Sequence, residues 1–328
     1  MGVGGSNNMV YEPNRSIYLS NLENEYGCSQ KESLYAFRNE EDEFLDSINN
    51  NNNKSRDKSF FNFNEINNIN QNKNKINILF LDNSGNNNPQ NKGNPLIFET
   101  LSNLNKRFDK LENEIKEESK NIKKRIEEMK SRLMKVEKKK IIFEDSVYYG
   151  QTIGNEVTGL GIIESDNGCK YEGEMLDSDR SGIGIFYDSK GVIFMGEYKN
   201  NKRYGFGIEE NPNVGKYEGS WINDNLTGTG ILTFKDGRIY IGKMDKAQFS
   251  GFGKLIFTDG SYFIGEFKDG KRIKGKAFYS DEQGIFDSTW EENGKKAVAK
   301  GIFYLKDGTK EKRIRIITEN EAHWVYDS

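Results

Sequence analysis

Two stretches of this 328-residue chain have the glycine–lysine spacing of a phosphate-cradling loop: Gly237-x4-Gly242-Lys243 and Gly265-x4-Gly270-Lys271. Such a loop holds phosphate through backbone N–H groups and needs a Ser or Thr after the lysine to hold Mg²⁺. Met244 and Arg272 stand there instead, and both matches fall out of a glycine periodicity described below. The sole histidine, His323, sits beside Trp324 and Tyr326 in a terminal aromatic cluster. One histidine excludes the HExxH motif and every multi-histidine metal site. Two cysteines, Cys28 and Cys169, exclude a four-cysteine zinc site and a disulfide scaffold, and suit a reducing compartment. No G-x-S-x-G elbow is present. Carboxylates are abundant, but on strand faces and turns where solvated charge is expected. No catalytic residue, cofactor or metal is therefore expected, and the chain reads as a non-enzymatic binding protein.

Residues suited to binding are easier to find. Lys268, Lys271, Arg272, Lys274 and Lys276 crowd one short stretch, and Lys138, Lys139 and Lys140 close a basic run. Either set could meet an anionic phospholipid headgroup, although a solvated face or turn would look the same. Met1-Gly2-Val3-Gly4-Gly5-Ser6 fits the pattern for N-myristoylation of Gly2 after removal of Met1. One acyl chain holds a membrane only marginally, so a second signal would be needed. The basic run or chain dimerisation could supply it.

The elements that position these residues fall into three segments of different physics. Net charge runs −3 over 1–96, +5 over 97–140, −7 over 141–215 and +2 over 216–328. That alternation is unlike a nucleic-acid binder, so no nucleic-acid partner is expected. Residues 1–94 form an Asn-rich tail, with Asn49 to Asn53 in a row. Its sparse apolar residues cannot offset the entropy of ordering a backbone, which predicts disorder. Two short motifs inside it could dock. Leu34, Phe37, Leu45 and Ile48 fall near one helical face, and Ile76–Leu81 (INILFL) is a compact run suited to a sheet edge.

Residues 95–140 carry apolar side chains at Leu101, Leu104, Phe108, Leu111 and Ile115, then Ile122, Ile126, Met129, Leu133 and Val136. Steps of three and four make a heptad seam, interrupted at Glu118 by a stutter. The spacing predicts a long helix that either pairs with another chain as a coiled coil or docks along the sheet that follows. Self-association through Leu104, Leu111, Ile126 and Leu133 is the favoured expectation.

Residues 141–328 repeat. Gly150, Gly173, Gly196, Gly219, Gly242 and Gly265 are each 23 residues apart, and Gly-x-Gly pairs from Gly159/Gly161 to Gly251/Gly253 share that period. A third glycine series, from Gly168 to Gly308, marks turns. Alternation in Tyr-x-Gly-x-apolar puts the aromatic and the glycine on one strand face. Turn chemistry such as Lys235-Asp236-Gly237 then closes one hairpin per repeat. A strand glycine is costly unless something lies above it, and an aromatic ring of the neighbouring strand is the expected occupant. Seven hairpins at about 4.8 Å per strand would make a single-layered ribbon about 65–70 Å long. Residues 311–328 read as a closing strand with an aromatic lid.

These units resemble MORN (membrane occupation and recognition nexus) repeats. The closest matches to that pattern are Tyr171, Gly173, Gly182 and Gly184 in one unit, and Tyr217, Gly219, Trp221, Gly228 and Gly230 in another. The sixth unit departs from it, with Lys274-Gly275-Lys276 where Gly-x-Gly is expected. The fold class expected is mainly β: an elongated antiparallel ribbon of about seven repeats, preceded by a coiled-coil helix and a disordered tail. The resemblance implies an adaptor in cytoskeletal, ciliary or membrane-contact assemblies, with protein partners and a cytoplasmic location. The alternative is a peripheral module for acidic phosphoinositides. A regulatory subunit of a lipid kinase or other enzyme is the remote one.

Overall fold

The computed structural model describes residues 95–154, 156–292, 296–318 and 322–326. The tail, its two motifs and Gly2 lie outside the described residues. One helix, α1 (Pro95–Lys135), precedes seventeen strands: β1 (Lys139–Ile142), β2 (Ser146–Ile153), β3 (Glu156–Ser165), β4 (Lys170–Leu176), β5 (Asp179–Tyr187), β6 (Ile193–Lys199), β7 (Lys202–Asn211), β8 (Gly215–Ile222), β9 (Asn225–Phe234), β10 (Ile239–Asp245), β11 (Gln248–Ile256), β12 (Tyr262–Lys268), β13 (Lys271–Tyr279), β14 (Gly284–Glu292), β15 (Lys296–Tyr304), β16 (Lys310–Thr318) and β17 (Ala322–Tyr326). Two compact units share them. The first contains 113–235 and 245–247, and the second contains the rest of the described chain.

In the first unit β1 to β9 pair consecutively and antiparallel. The hairpin tips between β4 and β5, β6 and β7, and β8 and β9 are two-residue turns with both central residues at positive φ: Asp177-Ser178, Asn200-Asn201 and Asn223-Asp224. That conformation matches strand twist, and Asn and Asp tolerate it better than most residues. Each turn also staples neighbouring hairpins. The Ser178, Asn201 and Asp224 amides donate to the carbonyls of Val157, Arg180 and Arg203 at 2.8, 3.0 and 3.1 Å. In return their side-chain oxygens accept from the amides of the same three residues.

The aromatic rings lie flat over glycine pairs on one face. A Cβ on Gly184 would sit 2.4 Å from the Tyr171 ring, and one on Gly173 2.3 Å from its hydroxyl. The occupant of Gly184 is thus the neighbouring strand's ring, as expected, whereas Gly173 is covered by the aromatic of its own strand. The ladder slips between Gly173 and Met175, which frees a carbonyl. The Tyr171 hydroxyl donates to Glu174 O at 2.9 Å, and Tyr148 and Tyr217 repeat the bond to Gln151 O and Ser220 O. Burial pushes the Tyr148 hydroxyl pKa up to about 12 and raises that of Tyr217 as well. Tyr198 and Trp221 stand edge-on between successive rings, with centroids 5.2–5.6 Å apart. Such pairs add to the burial of the rings themselves.

The opposite face is aliphatic and is not bare. Ile122, Ile126, Met129 and Leu133 of α1 pack on Leu160, Ile183, Ile185 and Ile208. The coiled-coil expectation is corrected here: in this unit the seam is spent on the chain's own sheet. Seven helical residues rise about 10.5 Å and two strands span about 9.6 Å, so a heptad keeps step with hairpins. The buried position at the stutter is Ser119, 4 % exposed, rather than Glu118. α1 ends at Lys135, so Lys139 and Lys140 belong to strand β1 rather than to the helix. The face is therefore two-layered where α1 lies.

In the second unit β11 to β17 pair consecutively. Phe108 of α1 stacks on Phe252 with ring centroids 5.6 Å apart, and Asn105 Nδ2 donates to Tyr262 Oη at 2.8 Å. Leu101 is buried, while Leu104 and Leu111 are half-buried. Trp324 stands edge-on to Phe286, Phe303 and Tyr279, the aromatic lid expected of the C-terminal strand. Between its paired glycines, Gly265 and Gly275, the hairpin of the sixth unit is one residue shorter than those of Gly173/Gly184 and Gly219/Gly230. Gly275 pairs with Gly265 beneath Phe263, so the floor glycine is kept and the bulge glycine is lost.

Replacing Ile126 by Ala should cost about 2–5 kcal/mol of stability in denaturant unfolding, the range for a buried aliphatic truncation. Sedimentation should be unchanged, because the seam faces the sheet. Dissociation of an oligomer would restore the coiled-coil reading.

Candidate binding surfaces

Between α1 and the first unit's sheet the contact is polar as well as apolar. Gln151, Glu174 and Glu197 occupy the slipped positions of β2, β4 and β6. A slipped ladder leaves a backbone N–H unpaired, and a buried donor needs a partner. The side chains supply it: Leu160 N donates to Gln151 Oε1 at 2.8 Å, Ile183 N to Glu174 Oε2 at 3.0 Å and Phe206 N to Glu197 Oε2 at 3.2 Å. The second oxygens of the two glutamates then meet the helix. Arg132 pairs with Glu174 at 3.3 Å and Arg125 with Glu197 at 2.5 Å. The arginines are one heptad apart and the glutamates one repeat apart. Reading these carboxylates as solvated missed this. The signal was the matching of an i, i+7 arginine pair with an i, i+23 glutamate pair.

The aromatic face holds a buried charge group. Arg203 Nη1 lies 2.7 Å from Glu209 Oε2, and both side chains are nearly inaccessible. Arg203 Nε also meets Asp224 at 3.1 Å, and its guanidinium lies 4.1 Å from the centroid of the Trp221 ring. Burial raises the Glu209 carboxyl above its ordinary range, while Arg203 pulls it back. This is a structural clamp: the next hairpin has Leu226 and Leu232 at the corresponding positions, both buried.

The repeat-defining residues Tyr171, Gly173, Gly184, Tyr217, Gly219, Trp221 and Gly230 are all buried in the aromatic face, and Gly182 and Gly228 sit at positive φ beside Glu174 and Ser220. They build the sheet and offer little surface to a partner.

The basic cluster of the sixth unit does not converge. Lys274 pairs with Glu266 at 3.3 Å, Lys276 with Asp287 at 2.8 Å and Arg272 with Glu292 at 2.8 Å. Lys271 Nζ donates to Glu292 O at 3.2 Å. Arg272 is buried over Trp290 on the aromatic face, whereas Lys274 and Lys276 border an open cleft of about 340 Å³ with Leu104, Ile264, Asp287 and Lys300. Lys268 is exposed near the tip. Of the other basic run, Lys138, Lys139 and Lys140 are all exposed.

A surface that sequence reasoning did not single out lies at the hairpin tips of the first unit. Ile153, Leu176 and Ile222 end β2, β4 and β8 and are 73 %, 56 % and 47 % exposed. At the corresponding end of β6 stands Lys199, whose ammonium lies 5.3 Å from the centroid of the Tyr204 ring, itself 41 % exposed. Scattered exposed aliphatics are ordinary. Recurrence at successive tips makes a stripe with a step of about 10 Å, two strand spacings.

The MORN repeat family model matches residues 194–213, 217–237 and 240–262. Residues 194–262 therefore carry three consecutive MORN repeats. No curated protein matches the chain.

Breaking the buried pair tests its role. Arg203→Leu alone leaves Glu209 buried without its main cation and should cost about 3–5 kcal/mol. In that variant the folded carboxyl pKa stands well above the unfolded one. Stability would then be highest below the ordinary carboxylate range and would fall as pH rises through the raised value. The double variant Arg203→Leu/Glu209→Leu, which copies the next hairpin, should recover most of the loss in urea titrations at neutral pH.

Proposed function

We propose that this protein is a non-enzymatic scaffold whose hairpin tips engage a protein partner. The observation that carries the reading is the exposed stripe of Ile153, Leu176, Tyr204 and Ile222. Regular apolar tips on a rigid sheet suit an elongated partner with apolar anchors at a similar step. The aromatic face is consumed by internal packing and the aliphatic face by α1, which leaves the rim as the first unit's regular apolar surface. MORN repeats occur in scaffold and membrane-associated proteins, which agrees with a binding role in general terms. The finer reading is an adaptor of about seven such repeats, working in the cytoplasm at a membrane or on the cytoskeleton or cilium.

Charging the stripe with Leu176→Glu and Ile222→Glu should leave unfolding within about 0.5 kcal/mol of the parent, as for exposed sites. It should remove a defined set of neighbours from proximity labelling of the intact chain. An unchanged set would discard the rim as the docking surface.

A membrane tether is the companion reading, carried by the Gly2 motif. An acyl chain on Gly2 would need help from a second signal, and Lys138, Lys139, Lys140 and Lys268 are exposed cations suited to anionic phospholipid. Mass spectrometry of the native N-terminus should show a myristoylated Gly2, and Gly2→Ala should abolish flotation with anionic liposomes. A retained Met1 or a bare Gly2 would remove the tether and leave the scaffold reading intact.

A further inference from the structure

In the second unit α1 covers only part of the face it crosses. Phe108 stacks on Phe252 of β11 and Asn105 meets Tyr262 of β12. Beside the helix runs the open cleft bordered by Leu104, Ile264, Asp287 and Lys300. Cross-strand pairing carries the same face onward from β14 over β15 and β16, as Asp287–Ile302–Lys312 and Thr289–Lys300–Ile314. Val298 and Ile316, opposite each other, share it. Ile302 is 39 % exposed, and Val298, Ile314 and Ile316 are half-buried. The charges there have one sign. On this face β15 and β16 carry Lys296, Lys300, Lys310 and Lys312, all exposed, and no carboxylate. Lys274 and Lys276 across the cleft are held by Glu266 and Asp287, whereas Lys300 and Lys312 meet no carboxylate among the described residues.

The first unit shows what such a face accepts. There the sheet offers isoleucines and one glutamate per repeat, and α1 answers with an aliphatic seam and one arginine per heptad. On β15 and β16 isoleucines stand with lysines instead, so the complementary helix is aliphatic along one stripe and acidic beside it. The α1 helix of a second copy has the wrong charge, since residues 97–140 carry net +5. There is also room. Neighbouring helices pack about 8–10 Å apart, which is about three residues along a strand at about 3.3 Å each. Counted from Tyr262 under α1, that distance falls on the cleft at Ile264 and Glu266.

We propose that a partner protein docks an acidic amphipathic helix in this cleft, alongside α1. Its apolar stripe lies on Ile302 and Ile314, and its carboxylates meet Lys300 and Lys312. The inference concerns the second unit and is independent of the rim reading, which concerns the first.

A synthetic peptide serves as the probe: about three heptads with leucine at the two seam positions and glutamate beside them. Fluorescence anisotropy should show it binding the full chain, while the same peptide with lysine in place of glutamate should not bind. Lys300→Glu/Lys312→Glu should weaken the acidic peptide at least about tenfold and admit the basic one. The rim variant Leu176→Glu should bind the acidic peptide as the parent does, which keeps the two readings separate. An acidic peptide that fails to bind, or that binds both proteins equally, would overturn the proposal. Amine labelling of the full chain, read by mass spectrometry, identifies any other occupant and needs no substitution. In dilute solution without peptide, Lys300 and Lys312 should label as fast as exposed Lys202, and the peptide should slow them at least about tenfold. Slow labelling without peptide would overturn the proposal. If it depends on concentration, a second copy holds the face; if not, the chain covers the face itself. Slowing by phosphatidylserine vesicles but not by the peptide would also overturn it and assign the face to lipid.

Discussion

The close approach of an aromatic ring to a glycine pair is the contact on which the sheet depends. Tyr171 lies on Gly173 and Gly184 so closely that no β-carbon fits at either position. The rings can therefore lie flat and still be buried, and a single sheet acquires a packed face without a second sheet opposite. Everything on that face follows. Tyr198 and Trp221 wedge edge-on between the rings, and guanidinium groups such as Arg203 cover them. The tyrosine hydroxyls reach the carbonyls freed where the ladder slips. Phe194 lies over its glycines in the same way without a hydroxyl to donate, so ring stacking is the common element and the hydroxyl bond is an addition.

The slip has a second consequence on the opposite face. It creates an unpaired amide that a glutamate satisfies with one oxygen, and the other oxygen is left facing the helix. Glu174 and Glu197 are in this way both bulge partners and helix receptors. These pairs are only half-buried, so each adds little stability alone. Their value lies in register: with one arginine per heptad and one glutamate per repeat, a helix displaced by one turn would misplace both pairs. The aliphatic contacts of Ile122, Ile126, Met129 and Leu133 supply the burial.

Much of this was legible before any coordinates. The 23-residue glycine periods placed the hairpins, and the 3,4 spacing placed the helix. The direction in which the helix buried its seam was not legible, because a heptad pattern specifies an apolar stripe and not its partner. A sheet with a two-strand step close to 10 Å accepts the same stripe as a second helix would. The sequence reading places the stutter at Glu118, whereas the buried residue there is Ser119. Burial decides for the small, uncharged one. The basic cluster of the sixth unit looked convergent in one dimension. The register shift that leaves Ile273 unpaired sends Arg272 to one face and Lys274 and Lys276 to the other, and acidic neighbours from adjacent strands then neutralise them. The exposed tip residues gave no signal of their own, because a single aliphatic before a turn is commonplace. Only their common exposure on the folded sheet shows the stripe.

The helix laid across the hairpins also changes how the first unit would respond to force. A sheet of consecutive hairpins resists shear along its strands but peels open one backbone pair at a time when its ends are drawn apart. α1 runs across those strands, and its length is fixed by its own hydrogen bonds at about 1.5 Å per residue. Pinned at Arg132 to β4 and at Arg125 to β6, it acts as a tie-rod that fixes the distance between successive hairpins. Tension applied across this part of the sheet must shear aliphatic contacts and break ion pairs together before any strand can separate. That gives the first unit the stiffness of a girder where the bare hairpin array would unzip.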